Sequence, residues 1–121
     1  MRKWTETIKP WSQLNSNTLY KLRVIDIKRI NDPKAMEVDV EFTEQPQLGR
    51  RITFLLSLPI RPSGPTAEFF ISCHMQIESQ GTVSPQDTIG SIISVRFQEQ
   101  PGDAMPKPVS FEPIFQGEEN D

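Results

Sequence analysis

Between Tyr20 and Leu58 the chain alternates apolar and polar residues with few breaks. Met36, Val38, Val40 and Phe42 fall on one side, and Glu37, Asp39, Glu41 and Thr43 on the other. After Glu44-Gln45-Pro46-Gln47-Leu48-Gly49 and Arg50-Arg51, the alternation resumes at Ile52, Phe54, Leu56 and Leu58. Successive side chains of a strand leave opposite faces, so a period of two predicts strands, and the Pro- and Gly-bearing break predicts a hairpin. Tyr20, Leu22 and Val24 share a face in a preceding strand, and the apolar phase then slips to Ile25 and Ile27. A one-residue slip predicts a β-bulge, which bends a strand and helps to close barrels. Asn31-Asp32-Pro33-Lys34 predicts the turn between the first and second strands.

The sheet must stop at Pro59–Pro65, which holds three prolines and Gly64, because proline has no donor for a ladder. Residues 66–80 read two ways. Ala67, Phe69, Ile71, Cys73, Met75 and Ile77 alternate as in a strand. Thr66 as N-cap, Gly81 as stop and the length favour a helix, and helix is the preferred reading. Val83–Asp87 predicts a turn, and Ile89, Ile93, Val95 and Phe97 a fourth strand entered through Gly90. Gln98–Pro108 reads as a loop. Val109, Phe111 and Phe115 predict a fifth strand, interrupted by proline and therefore at an edge. The expected class is mainly β: a five-stranded OB-like barrel over residues 19–115 with one helix between strands 3 and 4. Residues 1–18 read as an extended arm whose Trp4 and Trp11 cap the core or stack on a ligand, capping being preferred. Residues 116–121 read as a disordered acidic tail.

With 121 residues, 36% of them hydrophobic, the chain suits one domain. No apolar run approaches the roughly 20 residues of a membrane span, and Met1-Arg2-Lys3 leads into no apolar stretch, so neither a membrane partner nor a secretory signal is expected. Cys73 is the single cysteine, which leaves no internal disulfide and no Cys cluster for zinc. A cytoplasmic setting follows. His74 and Glu78, four apart, lack a third ligand, so no metal and no cofactor is expected. Cys73 sits on the apolar face and reads as a structural residue. No nucleophile elbow, phosphate loop or paired-carboxylate motif is present, so an enzyme is not expected.

Charge is unevenly spread. Residues 1–61 carry 11 Lys/Arg against 7 Asp/Glu, and residues 62–121 carry 2 against 9. Lys21, Arg23, Lys28, Arg29, Lys34, Arg50, Arg51, Arg61 and Arg96 are the candidate cations. Leu19-Tyr20-Lys21-Leu22, Gly49-Arg50, Asp87-Thr88-Ile89-Gly90 and Phe111-Glu112-Pro113 together give the chain a likeness. It resembles small phage and prophage proteins of unassigned function, often encoded near recombination or replication genes and suspected of binding single-stranded DNA. Ser91 replaces the basic residue common after the Gly of the third landmark, and Pro106-Lys107-Pro108 replaces an Asn common before the last strand. The resemblance implies non-specific single-stranded-DNA binding in phage or prophage replication or recombination, inside a bacterial host cell. Such binding needs cations for phosphates and aromatic faces for bases. Lys28, Arg29 and Lys34 at one turn, Arg50 and Arg51 after the next, and Trp4, Trp11 and Phe70 are the expected nucleic-acid contacts. The alternative is a protein-interaction or assembly module, a homo-oligomer among its forms, acting through sheet edges such as strand 5. Glu37, Asp39 and Glu41 in a row on one face favour that alternative, because they repel phosphate.

Overall fold

The computed structural model describes residues 3–99 and 106–114. Five antiparallel strands form one sheet: β1 (Leu19–Asn31), β2 (Lys34–Phe42), β3 (Arg51–Ser57), β4 (Ile92–Gln98) and β5 (Lys107–Pro113), in the spatial order β3-β2-β1-β4-β5. The helix α1 (Pro65–Ser72) follows β3. Mainly-β architecture with a helix between the third and fourth strands is therefore as expected.

The inward phase of every strand meets in one core. Leu22, Val24 and Ile27 of β1, Met36, Val38, Val40 and Phe42 of β2, and Ile93, Val95 and Phe97 of β4 are all buried. The phase slip in β1 is a bulge: Val24 pairs Val40, but Asp26, not Ile25, pairs Asp39. That extra residue returns Ile27 to the core side and curls the sheet. A second irregularity lies between Arg96 and Phe97, where Ser110 and Pro108 are the partners and Val109 is skipped. Val109 accordingly stands 56% exposed and is not a core residue.

The sheet does not close into a barrel. β3 and β5 are its two edges, and no described strand joins them. They approach without pairing: the Phe54 and Phe111 rings lie 5.7 Å apart, and Phe69 of α1 stands 6.3 Å from Phe54 and 5.7 Å from Phe111. The helix thus fills the space beneath the two edges.

Thr66 is not the N-cap, and Gly81 is not the stop. Gly64 holds the cap position at φ 104, a left-handed conformation that favours glycine, and Pro65 opens the first turn. The Thr66 hydroxyl instead donates to the Ser57 carbonyl at 2.9 Å, tying the helix start to the end of β3. The helix ends after one residue more than two turns because His74 adopts φ 64. The Met75 N–H donates to Phe70 O and the His74 N–H to Ile71 O, a Schellman closure. Beyond it the alternation resumes: Met75 and Ile77 are half-buried against the core, while Gln76 and Glu78 are exposed. The preferred helix therefore holds over the first half of residues 66–80 only, and the strand reading fails: Met75–Glu78 alternate in burial but belong to no strand. Ile89 lies outside β4 and is 44% exposed. Phe115 and the acidic tail lie outside the described residues.

Candidate interaction surfaces

The N-terminal arm is anchored at its inner end only. Leu14, 4% exposed, is the one described residue of the arm in the core, and it takes the capping place expected of the tryptophans. Trp4 is 86% and Trp11 51% exposed. The anchor is polar. Gln47, itself buried, donates from Nε2 to the Ser12 carbonyl at 2.9 Å and hydroxyl at 2.8 Å. Glu99 accepts from the Leu14 N–H at 2.9 Å, and its carbonyl accepts from the Gln13 amide at 2.8 Å.

Arg50 completes this anchor and is not a surface cation. Its Nη2 lies 2.9 Å from Glu99 Oε2, with both side chains almost enclosed. Its Nη1 donates to Gln47 Oε1 at 3.1 Å and to the Ser12 carbonyl at 3.3 Å, and the guanidinium sits 5.8 Å from the Phe42 ring centre. A phosphate would have to displace Glu99. Sequence reading missed Gln47 and Glu99 because polar side chains in a turn and beyond a strand end carry no periodic signal. Leu14, a lone apolar residue between polar neighbours, was the legible trace of this anchor.

The other expected nucleic-acid contacts do not form one site. Phe70 has no exposed surface and cannot stack a base. Lys28, Arg29 and Lys34 are exposed near the β1–β2 turn, while Arg51 pairs Glu41 at the far end of β2. Seven residues of strand separate Lys34 from Glu41, roughly 23 Å at 3.3 Å per residue. Between the two ends the outer sheet face is mixed. Arg51 lies 3.5 Å from Glu41, Lys28 lies 4.0 Å from Asp26, and Asp39 faces Asp26 directly across the strands. Asp39 also accepts a hydrogen bond from the Thr53 hydroxyl at 2.6 Å. Four carboxylates, Asp26, Glu37, Asp39 and Glu41, thus share this face with Arg23, Lys28 and Arg51.

His74 lies past the helix end, and its Nε2 is 3.0 Å from the Ile114 carbonyl, so it does not stand over Glu78 as on a helix. Among the described residues no group of three or more His, Cys, Asp or Glu could hold a metal. Cys73 is buried, and burial pushes its thiol up from 9.0 to about 11, while hydrogen bonds with Ser91 and Ser72 pull weakly the other way. A raised folded value stabilises the fold fully below pH 9.0, and that contribution is lost as pH rises from 9.0 through about 11. Thiol titration with a disulfide reagent at pH 8 should therefore be slow in the native chain and fast in urea. Rapid native labelling would mean that Cys73 is accessible.

Of the two sheet edges, β3 is the less protected among the described residues. In the β2–β3 ladder, Phe42 N–H donates to Arg50 O and Leu58 N–H to Lys34 O. Hydrogen-bonded positions alternate in an antiparallel pair, so the N–H and C=O groups of Arg51, Thr53 and Leu55 point away from β2. Ser57, next in that series, spends its carbonyl on Thr66. Beside this edge lies a groove of about 470 Å³, lined by Phe54, Leu56, Pro65, Pro106, Lys107 and Pro108 among others. β5, the opposite edge, is blunted by Pro108, Pro113 and its bulge. A second cleft of about 590 Å³ lies between Ile60–Pro62 and Gln76–Val83, with mixed polar and apolar walls and no converging set of charges. Among the described residues no helix is long and apolar enough to cross a membrane. The chain matches no family model and no curated protein.

Proposed function

We propose that this chain is a protein-interaction module that adds an extended partner segment to the edge of its sheet. The carrying observation is the asymmetry of the two edges. β3 runs seven residues without proline or bulge and borders an apolar groove, whereas β5 is protected. Unpaired edges of that kind are templates for strand addition, main-chain bonds giving affinity and alternate side chains giving choice. The strand order, with β1 between β2 and β4 and a helix after β3, supports an OB-like module whose edge strands β3 and β5 stay apart.

Leu55→Pro tests the reading, since it removes an N–H that points away from β2 and falls on an edge strand, where proline is tolerated. An array of extended decapeptides should be bound by the wild-type chain and not by this variant, with Leu55→Lys giving the same loss. Equal binding by all three chains would sink the edge reading.

Single-stranded-DNA binding, with the phage-protein resemblance behind it, is the second reading. It is favoured by Arg29 and Lys34, which are exposed and take part in no ion pair among the described residues, and by the exposed indoles of Trp4 and Trp11. Anisotropy titration of labelled oligo-dT at low and physiological salt tests it. Under this reading Arg29→Ala/Lys34→Ala should flatten the salt slope by about 1.4, at about 0.7 per phosphate contact. Absence of binding at low salt removes it.

A further inference from the structure

The arm carries two large apolar side chains that its own chain leaves in solvent, Trp4 at 86% and Ile8 at 96% exposure. Lys3-Trp4-Thr5-Glu6-Thr7-Ile8-Lys9 is rich in residues that favour strands, and Pro10 ends the run. In extended form Trp4, Glu6 and Ile8 share one face, and Lys3, Thr5, Thr7 and Lys9 the other. The segment is as long as β3, seven residues each. Its root, Ser12, is held by Gln47 and Arg50, just before β3 of the same chain.

Resting on the edge-module reading, we propose that the β3–β5 groove receives the N-terminal arm of a second copy of this chain. Trp4 and Ile8 enter the apolar groove beside Phe54, Pro65 and Pro108. Glu6 between them meets Lys107, the one charged side chain among the described residues that line the groove, and the two charges are opposite in sign. Backbone groups of the arm pair with Arg51, Thr53 and Leu55. Because each copy offers both an arm and a groove, the exchange is reciprocal and closes as a two-fold dimer.

The two tryptophans of the chain both lie in this arm, so intrinsic fluorescence reports its docking directly. Sedimentation velocity of the full chain over a concentration series should show a monomer–dimer equilibrium that persists at high salt. The emission maximum should shift to the blue as dimer forms. Trp4→Ala/Ile8→Ala and, separately, Leu55→Lys should each be monomeric with unchanged circular dichroism. Mixing these two variants should restore a heterodimer, since one brings an arm and the other a groove. A dimer that survives Trp4→Ala/Ile8→Ala, a blue shift independent of concentration, or a monomer at every concentration would overturn the proposal. If decapeptide capture by the β3 edge persists in those cases, the edge-module reading stands alone; if it is absent as well, both fall.

Discussion

Arg50→Ala should destabilise the chain by about 3–5 kcal/mol, the usual cost of removing one partner from a buried ion pair. The pair is nearly enclosed, at 13% and 12% side-chain exposure, and lies 2.9 Å apart. Among the described residues, losing Arg50 leaves the Glu99 carboxylate with only the Leu14 N–H, and it removes one of the two donors that hold the Ser12 carbonyl. The penalty is therefore mainly that of an uncompensated charge. It should fall well below that of either single change when Arg50→Met is combined with Glu99→Gln, because both charges then go together. Urea denaturation of the four chains measures the coupling, and the single variants should melt roughly 10 °C or more below wild type. Arg51→Ala is the control. Its side chain is 70% exposed and its partner Glu41 lies at the surface, so its effect should stay within about 0.5 kcal/mol. Equal effects at positions 50 and 51 would refute the anchor.

Phe54→Ala should cost about 3–5 kcal/mol, the range for truncating a buried phenylalanine. Phe54 is 1% exposed and touches three rings, those of Phe69, Phe97 and Phe111, with centroids 5.7–6.3 Å away. It brings edge strand β3 against edge strand β5, which share no ladder among the described residues. The loss should accordingly be uneven. Amide exchange should rise more in β5 than in β1 or β2, which keep their ladders on both sides or beside a long neighbour. Phe54→Leu should recover much of the stability. A uniform rise in exchange would mean that the core, not the junction of edges, depends on Phe54.

The five strands, their turns and the bulge in β1 were legible because each is a local pattern. Alternation of Met36–Phe42 reports a half-buried strand wherever the sheet lies, and the slip at Ile25 reports an extra residue whatever its partner. Residues 66–80 show where local patterns compete. Strict alternation and helical spacing overlapped, and the division at His74 came from a backbone turn that neither pattern encodes. The candidate site was less legible still. Arg50 and Arg51 are adjacent and chemically alike, yet one is closed in by Glu99, Gln47 and Ser12 and the other faces water. Phe70 and Trp4 are both aromatic, yet one has no exposed surface and the other is almost wholly exposed. Partners 35 to 49 residues away decide the fate of Arg50 and Gln47, and no single-sequence period carries that separation.

A small antiparallel sheet with a helix after its third strand is already written in the residue pattern, because hydrophobic periodicity acts on neighbours within a few residues. What the assembled chain alone settles, among the described residues, is that β3 and β5 remain the two edges of an open sheet, that β3 is the edge without proline or bulge, and that the arm is pinned at Ser12–Leu14 while Trp4 and Ile8 remain outside. Those outcomes depend on how curvature, long-range polar contacts and the wedge of α1 divide one core, and these are properties of the assembled chain.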